Sequence, residues 1–404
     1  MEQQAAPRSA LPLVLGLAVA IALIVAAAYI VVRGGDEDPT ASGDGAVPTT
    51  SPADAGGGGE DDLDTVVAEL AAFVTDVRQL ELRRPIEVTL LEDEAFEERV
   101  RRDAVADDPE ELAVAQRVFH ALGILRRGVD LQEALLGYLA DSVVGFYDPE
   151  TDDLVVRGGA LTPYVRAILV HEIAHALDDQ HFELHRPALD DADDESSLGF
   201  STLVEGNASR VQLLYEERLT EEERAEYAAE EDRIRAGFDA DSVPIVVQQL
   251  IGFPYLAGPA VVEALLQEGG ERRVDEAFAD PPTTSEQALD PPSWLAGEAA
   301  PVDVAPPDAD GEVIDQGTIG EWGLIVVLGV ELGQNAARDA ADGWGGDWYV
   351  AWDDGDRTCV RATFVMDTAE DLDELASALD AWAGNQLDAS VETATDSVTM
   401  TSCG

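Results

Sequence analysis

Lysine is absent from this 404-residue chain: all 24 basic residues are arginine, set against 83 acidic ones. The net charge of -59 argues against nucleic acid as a partner, because phosphates would be repelled. GC-rich coding and a salt-adapted, carboxylate-dominated surface both produce such a bias, and either bears on solubility and environment rather than fold. Cysteine is nearly absent as well. Cys359 and Cys403, both close to the C-terminal end, make neither a cysteine-rich zinc site nor a disulfide framework. In an exported protein they are expected to form one bridge tying down the tail; otherwise they are two separate thiols. Histidine is the third scarcity. There are five, and four of them lie between His171 and His185, in "HEIAHALDDQHFELH".

Long apolar runs are scarce too, with one exception. Residues 11–32, LPLVLGLAVAIALIVAAAYIVV, carry no charge and have about the length that spans a hydrocarbon core. A membrane anchor over 1–33 is expected, cytoplasmic at its start, with a cleaved signal peptide as the alternative. Residues 34–62 are Gly, Pro, Ser, Thr and Asp with almost nothing to bury, which reads as a disordered acidic linker. The folded part is expected over 63–404, and its 46% hydrophobic composition overall suffices for a real core. A core region of about 85–240 and a C-terminal part of about 241–404 are expected. There is no internal repeat.

Periodicity predicts a helix from Leu63, a strand over 86–91, and helices over 94–104, 109–124 and 130–141. A hairpin follows, turning at Asp148-Pro149-Glu150-Thr151. Next come a long apolar-rich helix, "TPYVRAILVHEIAHALDDQHF", a second, "SSLGFSTLVEGNASRVQLLYEER", and a very acidic helix over 219–239. The stretch 242–345 reads as mostly helical with a proline-rich middle. A second hairpin, "DWYVAWDDGDRTCVRATFVM", and a final helix complete the pattern.

On the histidine-bearing helix, His171 and His175 project about 40° apart, one turn along the axis. Two imidazoles can then reach one cation. Glu172 lies about 100° from His171, poorly placed to ligate the same ion but able to act as a base beside it. This is the H-E-x-x-H arrangement of two zinc ligands and a general base. The helix is apolar around it, and buried charged groups need partners. A catalytic zinc takes three protein ligands and keeps an open position. His181 points elsewhere on the wheel, so Glu205, in the apolar surroundings of "TLVEGNAS", is the expected third ligand.

Together His171, Glu172, His175 and Glu205 resemble the gluzincin clan of thermolysin-like zinc metallopeptidases. "HEIAHALDDQHF", "LVEGNAS", "TSEQAL" and "GWGGDWYV" further resemble a bacterial group of uncharacterised predicted membrane-anchored metallopeptidases. The resemblance implies a zincin-like fold in which the glutamate ligand comes from a helix packed beside the first. It also implies that "DDLVVRG" is an edge strand able to pair with an extended substrate. Thermolysin-like enzymes place an aspartate four residues after the glutamate ligand to orient a histidine; here Ser209 stands there. Asn207, Asp178 and Asp179 are the candidates for that task. Tyr147, Tyr164, Arg210, Tyr255 and Tyr349 are chemically able to stabilise an oxyanion.

"GWGGDWYV" reads as the start of a hairpin, with a substrate wall as the alternative. "TTSEQAL" reads as a helix capped by Ser285, with a cleft loop as the alternative. "DDADDESS" concentrates carboxylates as calcium loops do, but lacks EF-hand spacing and reads as a solvated acidic loop.

The expected fold class is α+β: zincin-like, mostly helical, with a small sheet beside the histidine helix and a C-terminal β-hairpin plus helix. The expected function is a membrane-anchored zinc (Zn2+) metallopeptidase. Its folded domain would lie outside the cytoplasm and act on a peptide or protein substrate, with His171, His175 and Glu205 on the metal and Glu172 catalytic. The alternative is a catalytically inactive zinc-binding interaction module.

Overall fold

The computed structural model describes residues 60–105, 109–190, 194–238, 243–298 and 300–404. The expected anchor and nearly all of the expected linker lie outside these. Helix α1, Glu60–Arg78, begins three residues inside the expected linker.

The chain is mixed α+β, with many helices and two small sheets. Strand β1 (Val88–Leu91), helices α2 (Asp93–Val105), α3 (Pro109–Ala121) and α4 (Leu131–Ser142), and strands β2 (Gly145–Asp148) and β3 (Asp153–Arg157) follow α1. The first sheet has the order β1-β3-β2, with β1 parallel and β2 antiparallel to β3. "DDLVVRG" is therefore the central strand, not the edge. The β1 segment arrives from outside the hairpin and pairs with the far side of β3, so the edge next to the histidine helix is β2.

Helix α5, Pro163–Phe182, has a well-defined start. Thr162 accepts the Val165 N–H at 3.2 Å, and Pro163 occupies the first turn, where its missing N–H costs nothing. Its residues from Pro163 to Asp179 are buried almost without interruption. After the short α6 (Pro187–Asp190) comes α7 (Asp194–Glu216), then α8 (Glu221–Gly237), closed at its start by a Thr220–Glu223 capping box. Helix α9, Ile245–Gly269, is long and apolar enough to cross a membrane, but most of its apolar stretch is buried inside the protein. It crosses α7 closely where two glycines meet: a Cβ on Gly206 would lie 2.3 Å from the Gly258 backbone.

Helices α10 (Glu271–Ala277), α11 (Ser285–Leu289) and α12 (Pro291–Ala296) lead into strand β4 (Val313–Gly317) and helices α13 (Gly320–Leu332) and α14 (Gln334–Ala341). Strands β5 (Trp344–Asp354) and β6 (Arg357–Met366), helix α15 (Ala369–Ala383), and strands β7 (Ala389–Thr393) and β8 (Val398–Cys403) complete the chain. The second sheet, β4-β5-β6-β8-β7, is antiparallel throughout. The expected hairpin is its centre. Three further strands extend it, and β8 carries its own signal: Val398, Met400 and Ser402 are buried in alternation. Cys359 and Cys403 face each other across β6 and β8 and are disulfide-bonded, so the bridge ties down the tail. One hydrophobic core runs from α1 to β8.

Candidate metal centre

Helix α7 packs beside α5 and brings Glu205 against the two histidines. His171, His175 and Glu205 are all buried, with their donor atoms within 4.8 Å of one another. His171 Nε2 lies 3.2 Å from Glu205 Oε2, and His175 Nε2 lies 3.5 Å from the same oxygen. The rings of His171 and His175 are 4.7 Å apart. This set fits a divalent cation of intermediate softness, zinc above all. It has two imidazoles and one carboxylate, and neither ring nitrogen of His175 makes a hydrogen bond of good geometry. The protonation states fit as well. Burial pushes His171 down to about 4, leaving the imidazole neutral. Burial works to raise Glu205, but His175 and His171 outweigh it and hold the carboxyl at about 2. Neutral imidazole and ionised carboxylate are the ligating forms.

Glu172 is wholly buried on the same helix, and neither carboxylate oxygen has a hydrogen-bond partner. The backbone N–H of Tyr147, on β2, is close enough to favour its ionised form without reaching hydrogen-bond geometry. Burial first, and the Glu205 charge second, push the Glu172 carboxyl well above the usual carboxylate range. A small cleft opens on this side of the triad, walled by Tyr147, Leu184, Phe200 and Val204 and reaching His175 and Glu205.

The group that orients His171 is none of the three expected. His171 Nδ1 lies 3.2 Å from Gln212 Oε1. An amide oxygen can only accept, so Nδ1 carries the proton and Nε2 presents its lone pair toward Glu205. Gln212 in turn donates to Glu216 Oε1 at 2.9 Å, which also accepts from the Tyr227 hydroxyl at 2.9 Å. A signal was present: Gln212 is seven residues after Glu205, about 20° away on the helical wheel. Asn207 instead donates to Asp178, which also accepts from a buried arginine. Arg78, from α1, donates to Asp178 at 2.9 Å, to Glu271 at 2.7 Å and to Asp275 at 2.9 Å. Burial alone would lower its pKa; those carboxylates outweigh that and raise it. Asp179 accepts the Leu184 N–H at 2.8 Å and lies 2.8 Å from the Tyr147 hydroxyl, locking the end of α5 to β2.

The oxyanion candidates separate. Tyr349 bonds Asp315 inside the second sheet, and Arg210 is engaged with Glu271. The Tyr147 hydroxyl is held between Asp179 and Asp152, yet its side chain walls the cleft. Tyr164 and Tyr255 line a separate cavity together with Gln212. His181 bonds the Glu81 carbonyl, away from the triad.

"GWGGDWYV" is the start of β5, as the hairpin reading expects. Asp347 accepts the Ile319 and Gly320 N–H groups and the Trp344 indole, fixing the start of α13. In "TTSEQAL" the cap is Thr284, one residue earlier than expected, because its backbone is extended while Ser285 is already helical. The Ser285 hydroxyl instead lies 2.7 Å from Glu195, so this part of "DDADDESS" is buried rather than solvated. Residues 191–193 lie outside the described residues.

Residues 310–402 match a family described as a domain of unknown function (DUF8575). The match takes in the five-stranded sheet and helices α13 to α15 and leaves out the triad and Glu172. Comparison with curated proteins and with solved structures found no match.

Proposed function

We propose that the chain is a zinc metallopeptidase of gluzincin type, anchored in a membrane by its N-terminal apolar run, with the folded part outside the cytoplasm. The observation that carries this reading is the pairing of a buried His171–His175–Glu205 triad with a buried, unpartnered carboxylate, Glu172, on the same helix. A metal scaffold alone would need the first and gain nothing from the second. The topology supports the zincin assignment: α7 supplies the glutamate beside α5, and the antiparallel strand β2 forms the sheet edge nearest the histidine helix. A disulfide suits an oxidising compartment.

In this reading His171, His175 and Glu205 hold the ion, which supplies Lewis acidity for a scissile carbonyl and for water. Gln212 fixes the tautomer of His171. Glu172 takes a proton from the attacking water and returns one to the leaving amine. Both of its oxygens are without a hydrogen-bond partner in the protein, so they are open to a water. The free edge of β2 offers main-chain groups to an extended peptide, and the cleft beside Phe200 and Val204 takes an apolar side chain.

The test is metal content together with hydrolysis of unfolded protein. The purified chain is expected to hold about one zinc, and Glu205→Ala to lose it. Zinc retained by Glu205→Ala at the parent level would refute the ligand set. Zinc bound with no hydrolysis of any unfolded substrate would favour the inactive module.

A further inference from the structure

A second cavity is lined by Gln212, the residue whose side-chain oxygen meets His171 Nδ1. Helices α5, α7, α8 and α9 enclose it, and three tyrosines, Tyr164, Tyr227 and Tyr255, wall it. The rings of Tyr164 and Tyr227 are 5.3 Å apart and tilted, and the ring of Tyr255 stacks 6.4 Å from His171. Glu216, which accepts from Gln212 and Tyr227, and Glu231, 3.3 Å from Arg235, line the same space. The Tyr164 hydroxyl lines it too; this side chain is 1% exposed, and its oxygen has no hydrogen-bond partner. The hydroxyl is therefore available to a partner held in the cavity.

We propose that this cavity binds an organic cation bearing N–H groups: the ammonium or guanidinium of a free amine, or of a lysine or arginine side chain. The walls select for it chemically. Aromatic faces attract a cation held within about 6 Å of the ring. The two carboxylates can only accept hydrogen bonds, and the phenol of Tyr164 has lone pairs to accept with as well. Burial first, then the charges of Glu231, Glu230 and Glu216, raise the pKa of Tyr164, so the phenol stays neutral. An anion meets two carboxylates inside a chain of net charge -59. A metal ion is a poorer fit, because the only metal-spaced group of histidine, cysteine and carboxylate side chains among the described residues is the triad. The cavity is also wired to the metal centre. Glu216, which a cation would engage, accepts from the same Gln212 amide that orients His171.

The site is independent of whether the triad holds zinc, and the experiment keeps the two apart. The full-length protein, metal-free and zinc-loaded, is titrated with butylamine and with agmatine. 1-Butanol serves as the uncharged isostere of butylamine, and binding is read by saturation-transfer NMR and tyrosine fluorescence. Both amines are expected to bind with or without zinc, and butanol at least about tenfold more weakly, since hydrogen bonds to charged groups are the stronger kind. Tyr164→Phe and Glu231→Gln together are expected to weaken amine binding at least about tenfold, with the thermal midpoint unchanged. Both substitutions conserve shape, and Glu231 sits on a helix with no buried residues. The proposal is overturned if neither amine binds the parent, if butanol binds as well as butylamine, or if the double variant binds amines like the parent. Neither position belongs to the triad, so such a result leaves the metal reading standing.

Discussion

Two buried carboxylates, one in each half of the chain, have opposite surroundings. Asp347, in the region of the family match, accepts three hydrogen bonds, from Ile319, Gly320 and Trp344. Burial raises its pKa, those three bonds oppose the rise, and it settles at about 6. Glu172, beside the triad, is equally buried and has no hydrogen bond. Its carboxyl is pushed well above the usual range. Folding alone explains Asp347, because it fixes the start of α13. Folding alone does not explain Glu172, and a buried carboxyl without partners is where function is expected to have overridden stability.

Exchanging each carboxylate for its amide tests that contrast most sharply. Glu172→Gln is expected to retain zinc and fold while peptide hydrolysis falls by about 10²–10⁴-fold, the usual worth of general-base catalysis. Asp347→Asn is expected to leave hydrolysis per folded molecule unchanged. It should cost about 1–3 kcal/mol of stability in denaturant unfolding, because a backbone N–H loses its acceptor. Equal turnover in the parent and Glu172→Gln would break the contrast.

Next in size is the orienting amide. Gln212→Ala leaves the His171 Nδ1–H without its acceptor. Zinc affinity, measured by competition with a chelator, is expected to fall by about 10–100-fold. Zinc affinity left at the parent level would show that the 3.2 Å contact does not hold the ring.

The α7–α9 crossing then asks how rigidly Glu205 is held. A Cβ on Gly206 would meet the Gly258 backbone at 2.3 Å, and backbone cannot move aside cheaply. Gly206→Ala is expected to cost about 1–3 kcal/mol as an overpacked contact. It should also lower zinc affinity by displacing the neighbouring ligand. Gly237→Ala, on α8 with open space around it, is the control and is expected to be neutral in both assays.

The smallest effect concerns the seam between the two halves, where Glu321 of α13 meets Glu286 of α11. Burial, followed by Glu286 and Asp342, raises Glu321 to about 8. Burial, followed by Asp367, raises Glu286 to about 7. Both folded values exceed the unfolded carboxyl value of about 4.3. The folded state therefore binds more protons, and stability from these groups is lost as pH rises through about 7 to 8. The melting temperature is expected to fall between pH 6 and pH 9, and Glu321→Gln to flatten that fall. A profile as steep in Glu321→Gln as in the parent would assign the effect elsewhere.

How much was legible in advance depended on range. His171, Glu172 and His175 lie within two turns of one helix, so spacing alone sets their directions. Glu205 was legible because a carboxylate among Leu203, Val204 and Gly206 has no reason to be there unless it meets a partner. The hairpins around Asp148–Thr151 and Asp354–Arg357 followed from local turn chemistry. These features need only the chain's own geometry over a few residues.

The rest required the packed chain. That β3 is central followed from the arrival of β1, whose Val88 pairs with Leu154, 66 residues later, a pairing no local pattern announces. Asp178 lies on the correct face of α5 for His171, yet Arg78, 100 residues away, claims it, because a buried guanidinium must be neutralised. Gln212 inherited the orienting task only once α7 lay along α5. Whether a side chain is a ligand, a brace or a wall depends on which partner reaches it first. In a dry interior that is decided by which helices cross and how closely, as at Gly206 and Gly258, and not by the residue alone.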